Sequence, residues 1–528
     1  MMNTNSTRTE ELLELIQNAD NGYDKVKGDL KVFERVFFNE IDAQVYESLE
    51  KRGMSRLAFP KARSKCARAS DSLNRTYFSN DKFATISPDD DENREEYLYA
   101  IDKLHEATNT YIKDMNIFMC LQPNIRKTPY IGTAVAKSYW DNGKPVIESV
   151  NIDEIRFDRD AKTPESSTYF VHLIYKTQKE INNLIQREIF NLDEVSTGIF
   201  NEFDKITSKR IELKEIYTLD DGKWHVSTFY KNAPLRQDVY LEDGCPITFG
   251  GLLPQLKRID ENEVVMCYYE PLIMPLVPLQ EEYNIRRNQG IDAVKRFLNP
   301  KIVSSSTSGI NPLDILNPNK TVIKGTNINA ASIVPLPTPN LQPAILDTQN
   351  MDHDMSEVSG ISPMMNGLSN DKSKTATEKG IEHSEGSIKL DSYVRAFNET
   401  FFNPLIKRVS MLTWKYGDAK LFKGVDRRLN LNYKVNFNTG LGVTNDVVKR
   451  ENLGQAYSMM SDLLKIQVQL QDADAINTAK GLKKVVAETL PLIGITNSDE
   501  LLGKENKQDE ITESRRTTTS VLGAIGRA

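Results

Sequence analysis

Three carboxylates, Asp158, Asp160 and Glu165, have the residue type and spacing that could do chemistry. Clustered carboxylates can hold a divalent metal, and a metal so held could activate water against a phosphodiester. That arrangement would make the chain a metal-dependent nuclease. The three lie in a turn between expected strands, where acidic residues are common for conformational reasons, so the catalytic reading is the weaker one. No Gly-x-x-x-x-Gly-Lys-Ser/Thr phosphate loop occurs, and a motor that burns nucleotide is not expected. The four cysteines (Cys66, Cys120, Cys245, Cys267) include no CxxC pair and there are only five histidines, which argues against a zinc site or a disulfide framework and for a reducing compartment. The expectation is no catalytic residue, no metal, no cofactor and no enzyme.

A second group of residues could touch phosphate. Arg286, Arg287, Lys295, Arg296, Lys301, Lys320 and Lys324 outnumber Asp292 and Asp314 in the same stretch. Such an excess can meet phosphates or acidic partner surfaces, although a charge run is more often a solvated face. The chain as a whole carries −7, with 27% charged and 39% hydrophobic residues over 528 positions. That balance argues against a surface coated in positive charge for tight, general DNA binding. The polar N-terminus lacks the apolar core of a signal peptide, and no apolar run reaches the ~18 residues of a membrane span. The expectation is a protein that stays where it is made and has no membrane partner.

The elements that must position these residues point to an α+β chain. The first 125 residues read mostly helical, with Tyr97, Ile101, Leu104, Thr108, Tyr111, Met115 and Phe118 on one helical face. From 129 to 250 the pattern changes to strands. Asn142-Gly143 lies between Ala134–Trp140 and Pro145–Val150, and Asp221-Gly222 lies between Ile211–Leu219 and Trp224–Tyr230; both read as hairpins. Leu276, Leu279, Tyr283, Gly290, Val294 and Phe297 mark one stripe of a helix that is polar around most of its circumference. Such a helix has little to bury within one subunit and is expected to stand between identical neighbours and a wet lumen. Glu282 with Arg286 and Asp292 with Arg296 are favourable pairs at i,i+4.

Residues 300–345 are rich in Pro, Asn, Ser and Thr with short β-branched runs, too polar for a core of their own. A second helix follows, from about Pro343 to a stop at Gly360, and then the polar loop Ile361–Lys374. Thr375-Ala376-Thr377-Glu378 reads as a capping box that starts a long helix. Its stripe is Leu390, Val394, Phe397, Phe401, Leu405, Val409, Leu412 and Tyr416, with a kink expected at Pro404. A strand at Tyr433–Asn438 and two helical runs, carrying Leu453–Val468 and Leu482–Leu490, precede a polar tail.

In order and spacing these residues resemble the portal, or head–tail connector, family of tailed bacteriophages, most closely the short-tailed type. Three places carry the resemblance. The first is Ile152-Asp153-Glu154-Ile155-Arg156-Phe157-Asp158-Arg159-Asp160-Ala161 with the strand Tyr169–Lys176 and helix start Thr177–Ile181, although Arg159 stands where proline is usual. The second is Pro278–Asn284 with Asn288-Gln289 and Asn299-Pro300, and the third is Val358–Ile361 with Lys374-Thr375-Ala376-Thr377.

The resemblance implies a ring of about twelve copies at one capsid vertex, through which double-stranded DNA is packaged and ejected. It implies a mixed α/β wing over 1–275, stem helices over 276–298 and 343–359, and a small α/β clip over 299–342. A tunnel loop over 360–374, a kinked wing helix over 375–430, a helical crown over 431–500 and a polar tail over 501–528 complete it. The stem cations would be Arg286, Arg287, Lys295 and Arg296. Lys301, Asn319, Lys320 and Lys324 of the clip would bind partners, the terminase and then the head–tail adaptor. Asn366, Ser369, Asn370, Lys372, Ser373 and Lys374 would line the DNA channel. The other implied partners are the major capsid protein and a scaffold, with assembly in the host cytoplasm and a final place in the virion. A scaffold or adaptor of the virion other than a portal is the remaining alternative.

Overall fold

The computed structural model describes residues 2–78, 84–89, 95–191, 210–256, 258–259, 264–298, 302–304, 309, 311, 325–326, 333–335, 342–361, 389–437, 457–458, 461–462 and 486. The chain divides into a unit of residues 1–439 and a second of residues 440–528, and the architecture below is that of the first. It is mixed α/β, consistent with the α+β expectation. The two helical runs expected after 453 fall almost wholly outside the described residues, as does the capping box at 375–378.

Helix α1 (Met2–Phe37) is 36 residues long. Leu12, Ile16 and Ala19 recur on one face, and they pack with Tyr169, Val171, Ile216 and Phe229 on a five-stranded antiparallel sheet. That sheet has the order β4 (Ile155–Phe157), β5 (Tyr169–Thr177), β6 (Arg210–Asp220), β7 (Lys223–Tyr230), β8 (Ala233–Tyr240). A three-stranded sheet has β2 (Thr133–Asp141) between β3 (Lys144–Val150) and β9 (Ile247–Gly251). Both expected hairpins form, with Asn142 and Gly143 at φ 47° and 78° and Asp221 and Gly222 at φ 50° and 74°. Positive φ at both central residues matches the twist of the flanking strands, which is why these dipeptides set the register. The helix start at Thr177 is a capping box with Glu180, leading α6 (Gln178–Gln186).

The long helix expected through Phe118 is in fact two. Helix α4 (Glu95–Asp114) and α5 (Ile117–Ile131) meet at Asn116, which takes the left-handed conformation at φ 52°. Asparagine tolerates that region better than other non-glycine residues. The turn rotates Phe118 off the buried stripe, and it is 40% exposed. Strands also begin later than 129, because α5 continues through Pro123 and Pro129 to Gly132. Gly132 has φ 89°, and a Cβ there would sit 2.0 Å from the Tyr269 carbonyl oxygen. We expect Gly132→Ala to cost about 3 kcal/mol, from steric overlap added to an unfavourable φ. Gly290→Ala is the control: nothing lies within 4 Å of its Cβ position in a helix, so it should be neutral or slightly stabilising in the same urea titration.

Helices α3 (Lys61–Tyr77), α7 (Leu276–Leu298) and α8 (Gln342–Ser359) pack against the main core. The helical run 389–397 passes through a π-turn, Asn398–Phe402, into α9 (Asn403–Tyr416). The irregularity expected at Pro404 therefore appears one turn earlier. Pro404 has no N–H for an i→i−4 bond, and the Asn403 amide instead reaches the Asn398 carbonyl across a widened turn. Phe397, Phe401 and Phe402 are fully buried there against Tyr77. Of the expected stripe only Tyr416 is exposed, and its hydroxyl is held by the Asp243 carboxylate. Strand β12 (Tyr433–Phe437) pairs with β1 (Ala84–Pro88).

A buried carboxylate joins the two larger sheets. Glu215 of β6 accepts from Lys137 Nζ of β2 at 3.0 Å and from the Tyr217 hydroxyl at 2.9 Å, and lies 3.5 Å from both Arg236 and His172. Burial pushes its pKa up, but Lys137, then His172 and Arg236, outweigh burial and hold it well below the usual carboxylate range.

Candidate functional site

The candidate phosphate-contacting residues lie in α7 (Arg286, Arg287, Lys295, Arg296) and in the segment joining it to α8 (Lys301, Lys320, Lys324). Gln280, Asn284, Asn288 and Asp292 recur every fourth residue of α7 and form a ladder along one side. Residues 55–60, an extended stretch leading into α3, and the first turn of α3 lie along it in the opposite direction. Asp292 accepts from the Ser55 amide at 3.0 Å and from its hydroxyl. Asn288 accepts from the Leu57 amide at 2.9 Å and donates to the Leu57 carbonyl at 2.7 Å. Asn284 accepts from the Phe59 amide, and Gln280 accepts from the Ala62 amide while donating to the Phe59 carbonyl.

The match is geometric. Four helical residues advance about 6 Å and two extended residues about 6.6 Å, so Asp292, Asn288 and Asn284 meet every second peptide of the strap at Ser55, Leu57 and Phe59, while Gln280 reaches Ala62 in the first turn of α3. Gln280, Asn288 and Asp292 are 2%, 6% and 8% exposed. Burial raises the Asp292 pKa, but the Ser55 hydroxyl and amide and then Lys295 outweigh it and leave it lowered. The expectation that α7 has little to bury within one subunit is therefore corrected for this face: its polar side chains replace a neighbouring β-strand for residues 55–60. The first half of its apolar stripe is also buried, with Leu276 and Tyr283 in the same cluster as Met351 and Met355 of α8. The second half is not, since Val294, Phe297 and Leu298 are 40%, 52% and 69% exposed.

Three of the four candidate stem cations, Arg286, Arg287 and Lys295, are engaged within the chain. Arg286 lies 3.5 Å from Glu282, as the spacing suggests, and 3.7 Å from Asp347 of α8. Arg287 lies over the Phe59 ring at 5.7 Å. Lys295 donates to Ser55 Oγ at 2.6 Å and lies 3.4 Å from Asp292. The Arg296 side chain, and with it the expected Asp292–Arg296 pair, lies outside the described residues. So do Lys301, Asn319, Lys320 and Lys324, and all of Asn366, Ser369, Asn370, Lys372, Ser373 and Lys374. Within 299–342 the short strands β10 (Ile302–Ser304) and β11 (Ile333–Pro335) pair antiparallel.

The end of α8 is pinned by two lysines that residue spacing did not single out. Lys65 of α3 is buried and donates to Ser356 Oγ at 2.6 Å and to the Ile361 carbonyl at 2.9 Å; burial lowers its pKa. Lys389 donates to the Glu357 carbonyl at 2.8 Å. Gly360, at φ 69°, lets the chain turn between them, and a Cβ there would lie 2.6 Å from Lys389 Cδ. One last-turn carbonyl, that of Glu357, thus meets a cation, and a second cation lies just beyond the helix end, which the helix dipole also favours.

Of the three carboxylates that could have held a metal, Asp158 serves its own turn, and the Glu165 side chain lies outside the described residues. Asp158 is 7% exposed; its Oδ1 accepts the Asp160 amide at 3.0 Å and its Oδ2 the Thr168 hydroxyl at 3.5 Å. That is the use of Asp in a turn rather than in a metal site. Among the described residues one other group, His353, Asp354 and Glu357 of α8, brings possible ligand atoms within 4.8 Å of one another, and all three are exposed. No helix of the described residues is long and apolar enough to cross a membrane.

A family model described as "Phage SU10 portal protein" matches residues 287–517. The match starts within α7 and includes β10, β11, α8, the π-turn, α9 and β12. It supports a phage portal protein, in agreement with the resemblance carried by the motifs. No curated protein matches the chain.

Proposed function

We propose that the chain, similar to the phage SU10 portal protein family over 287–517, works as one subunit of a ring at a single capsid vertex, a conduit through which double-stranded DNA is packaged and later ejected. The ring has about twelve subunits, as the resemblance implies, and is a structural component of the virion. It meets the terminase first and the head–tail adaptor afterwards, with the major capsid protein around it. The observation that carries this function is the family match across the α7–β10–β11–α8 succession. The electrostatics support it. A conduit must not hold its DNA, because counterion release at many phosphate contacts would trap the duplex. Here Arg286 and Lys295 are already engaged by carboxylates of the same chain.

Negative-stain images of the purified protein test the function. Rings with an axial hole wide enough for duplex DNA are expected, and a chain that stays monomeric under all conditions would reject it. A second expectation concerns residues 372 and 374. Lys372→Glu with Lys374→Glu should leave rings intact while lowering the DNA content of particles; particles with normal DNA content would remove these lysines from the channel.

A further inference from the structure

Ile361 and Lys389 stand on either side of residues 362–388, and they lie at one place. A Cβ on Gly360 would sit 2.7 Å from Lys389 Cβ, and Lys389 Nζ reaches back to the Glu357 carbonyl at 2.8 Å. A third element holds the same neck. Lys65 of α3 is 3% exposed and donates to Ser356 Oγ at 2.6 Å and to the Ile361 carbonyl at 2.9 Å. The Ser359 hydroxyl accepts the Ile361 amide at 3.2 Å. Both backbone polar groups of Ile361 are therefore fixed by side chains, and the residue is 1% exposed. The place of Lys65 is a costly one. Among the described residues no carboxylate lies within 4.0 Å of its ammonium, and Asp352 pairs with Lys61 at 3.2 Å instead. A buried cation on neutral acceptors gives up hydration that an apolar side chain never had. Net stability does not account for a lysine here, whereas fixing one backbone position does.

We propose that Lys65 and Lys389 are positioning residues of the conduit: they fix the point at which the chain leaves α8 for the segment that carries Lys372 and Lys374. Their effect on DNA passes through that point and not through contact with the duplex. Lys65 is buried, and Lys389 is held by the Glu357 carbonyl. Holding the two ends of a long excursion together costs chain entropy, and the bonds across the neck offset it. Lys61, about one turn before Lys65 on α3, also joins α3 to α8, but through Asp352 and away from the neck. This assignment rests on the ring function proposed above and names residues on which its channel would depend.

The test compares ring assembly and the DNA content of particles in Lys65→Met, Lys389→Met and Lys61→Met. Lys65→Met keeps an unbranched apolar side chain and removes both donated bonds. Lys389→Met does the same at an exposed position, so the answer does not depend on how well Lys65→Met folds. Both should form rings at the wild-type concentration and give particles with lowered DNA content, while Lys61→Met keeps the wild-type content. Hydrogen exchange at the Ile361 amide should also accelerate at least about tenfold in Lys65→Met, the scale of one lost hydrogen bond to a charged group. Rings with normal DNA content in Lys389→Met and Lys65→Met overturn the proposal and leave the ring function standing. An equal loss of DNA in Lys61→Met overturns it too, because the effect would then belong to the docking of α3 on α8 in general. Loss of rings in Lys389→Met would make that residue an assembly contact and overturn its positioning role. A wild-type chain that never forms rings overturns both readings.

Discussion

Replacing Glu215 with alanine is expected to destabilise the chain by about 3–5 kcal/mol, the cost of leaving buried cations without their counter-charge. Glu215 is 7% exposed and is approached by Lys137, Arg236, His172 and the Tyr217 hydroxyl from four other positions of the two sheets. Once it is removed, Lys137 and Arg236 both lose their carboxylate partner in a largely buried setting. Glu215→Gln should recover part of the loss by keeping hydrogen-bond acceptance, and the difference between the variants isolates the charge. The pH dependence has a definite sign. The Glu215 pKa is depressed in the folded chain, so its contribution is fully present above the ordinary carboxylate pKa of about 4.3 and is lost as pH falls through the folded value. Urea titrations of wild type and Glu215→Gln should therefore converge on acidification below that point. Equal stabilities of the two at neutral pH would show that the cluster contributes nothing.

The second large effect is expected at Asn288. Asn288→Ala removes both hydrogen bonds to the Leu57 peptide and leaves its amide and carbonyl without their side-chain partner. A cost of about 2–3 kcal/mol follows from two such bonds and the exposed donor and acceptor. The location of the effect separates it from general loosening. Hydrogen exchange should accelerate at the amides of Ser55, Leu57 and Phe59, which have side-chain acceptors on α7. The ladder amides of β5, β6 and β7 should keep their protection. Uniform acceleration across the sheet would mean that the strap is not an independent unit. Asn288→Asp would separate the two halves of the interaction, since it keeps the acceptor for the Leu57 amide and loses the donor for its carbonyl.

Much of the fold is legible in the residues themselves. The Asn-Gly and Asp-Gly dipeptides determine two hairpins and their registers, because positive φ at two successive positions is a local property that needs no tertiary contact. The capping box at Thr177 and Glu180 is local in the same way. The buried stripe of 390–412 follows from spacing alone, because a helix presents every third and fourth residue to one side. The family resemblance, carried by short motifs in a fixed order, agrees with the match over 287–517.

What the tertiary structure decided is where the polar residues of the candidate site point. Gln280, Asn284, Asn288 and Asp292 sit at a visible four-residue repeat, yet such a repeat on a helix is equally consistent with water, a neighbouring subunit or a strand. Only the course of residues 55–62, more than 200 positions away in the chain, makes them strand-binding side chains. Lys65 is a surface residue by its type and a buried clamp on α8 by its position. Asp158 is a metal ligand by type and a turn former by position. The division has one physical cause. Backbone preferences and helical or strand periods are settled within a few residues. The partner of a polar side chain is settled by whichever distant backbone or charge the packed core brings within hydrogen-bonding distance.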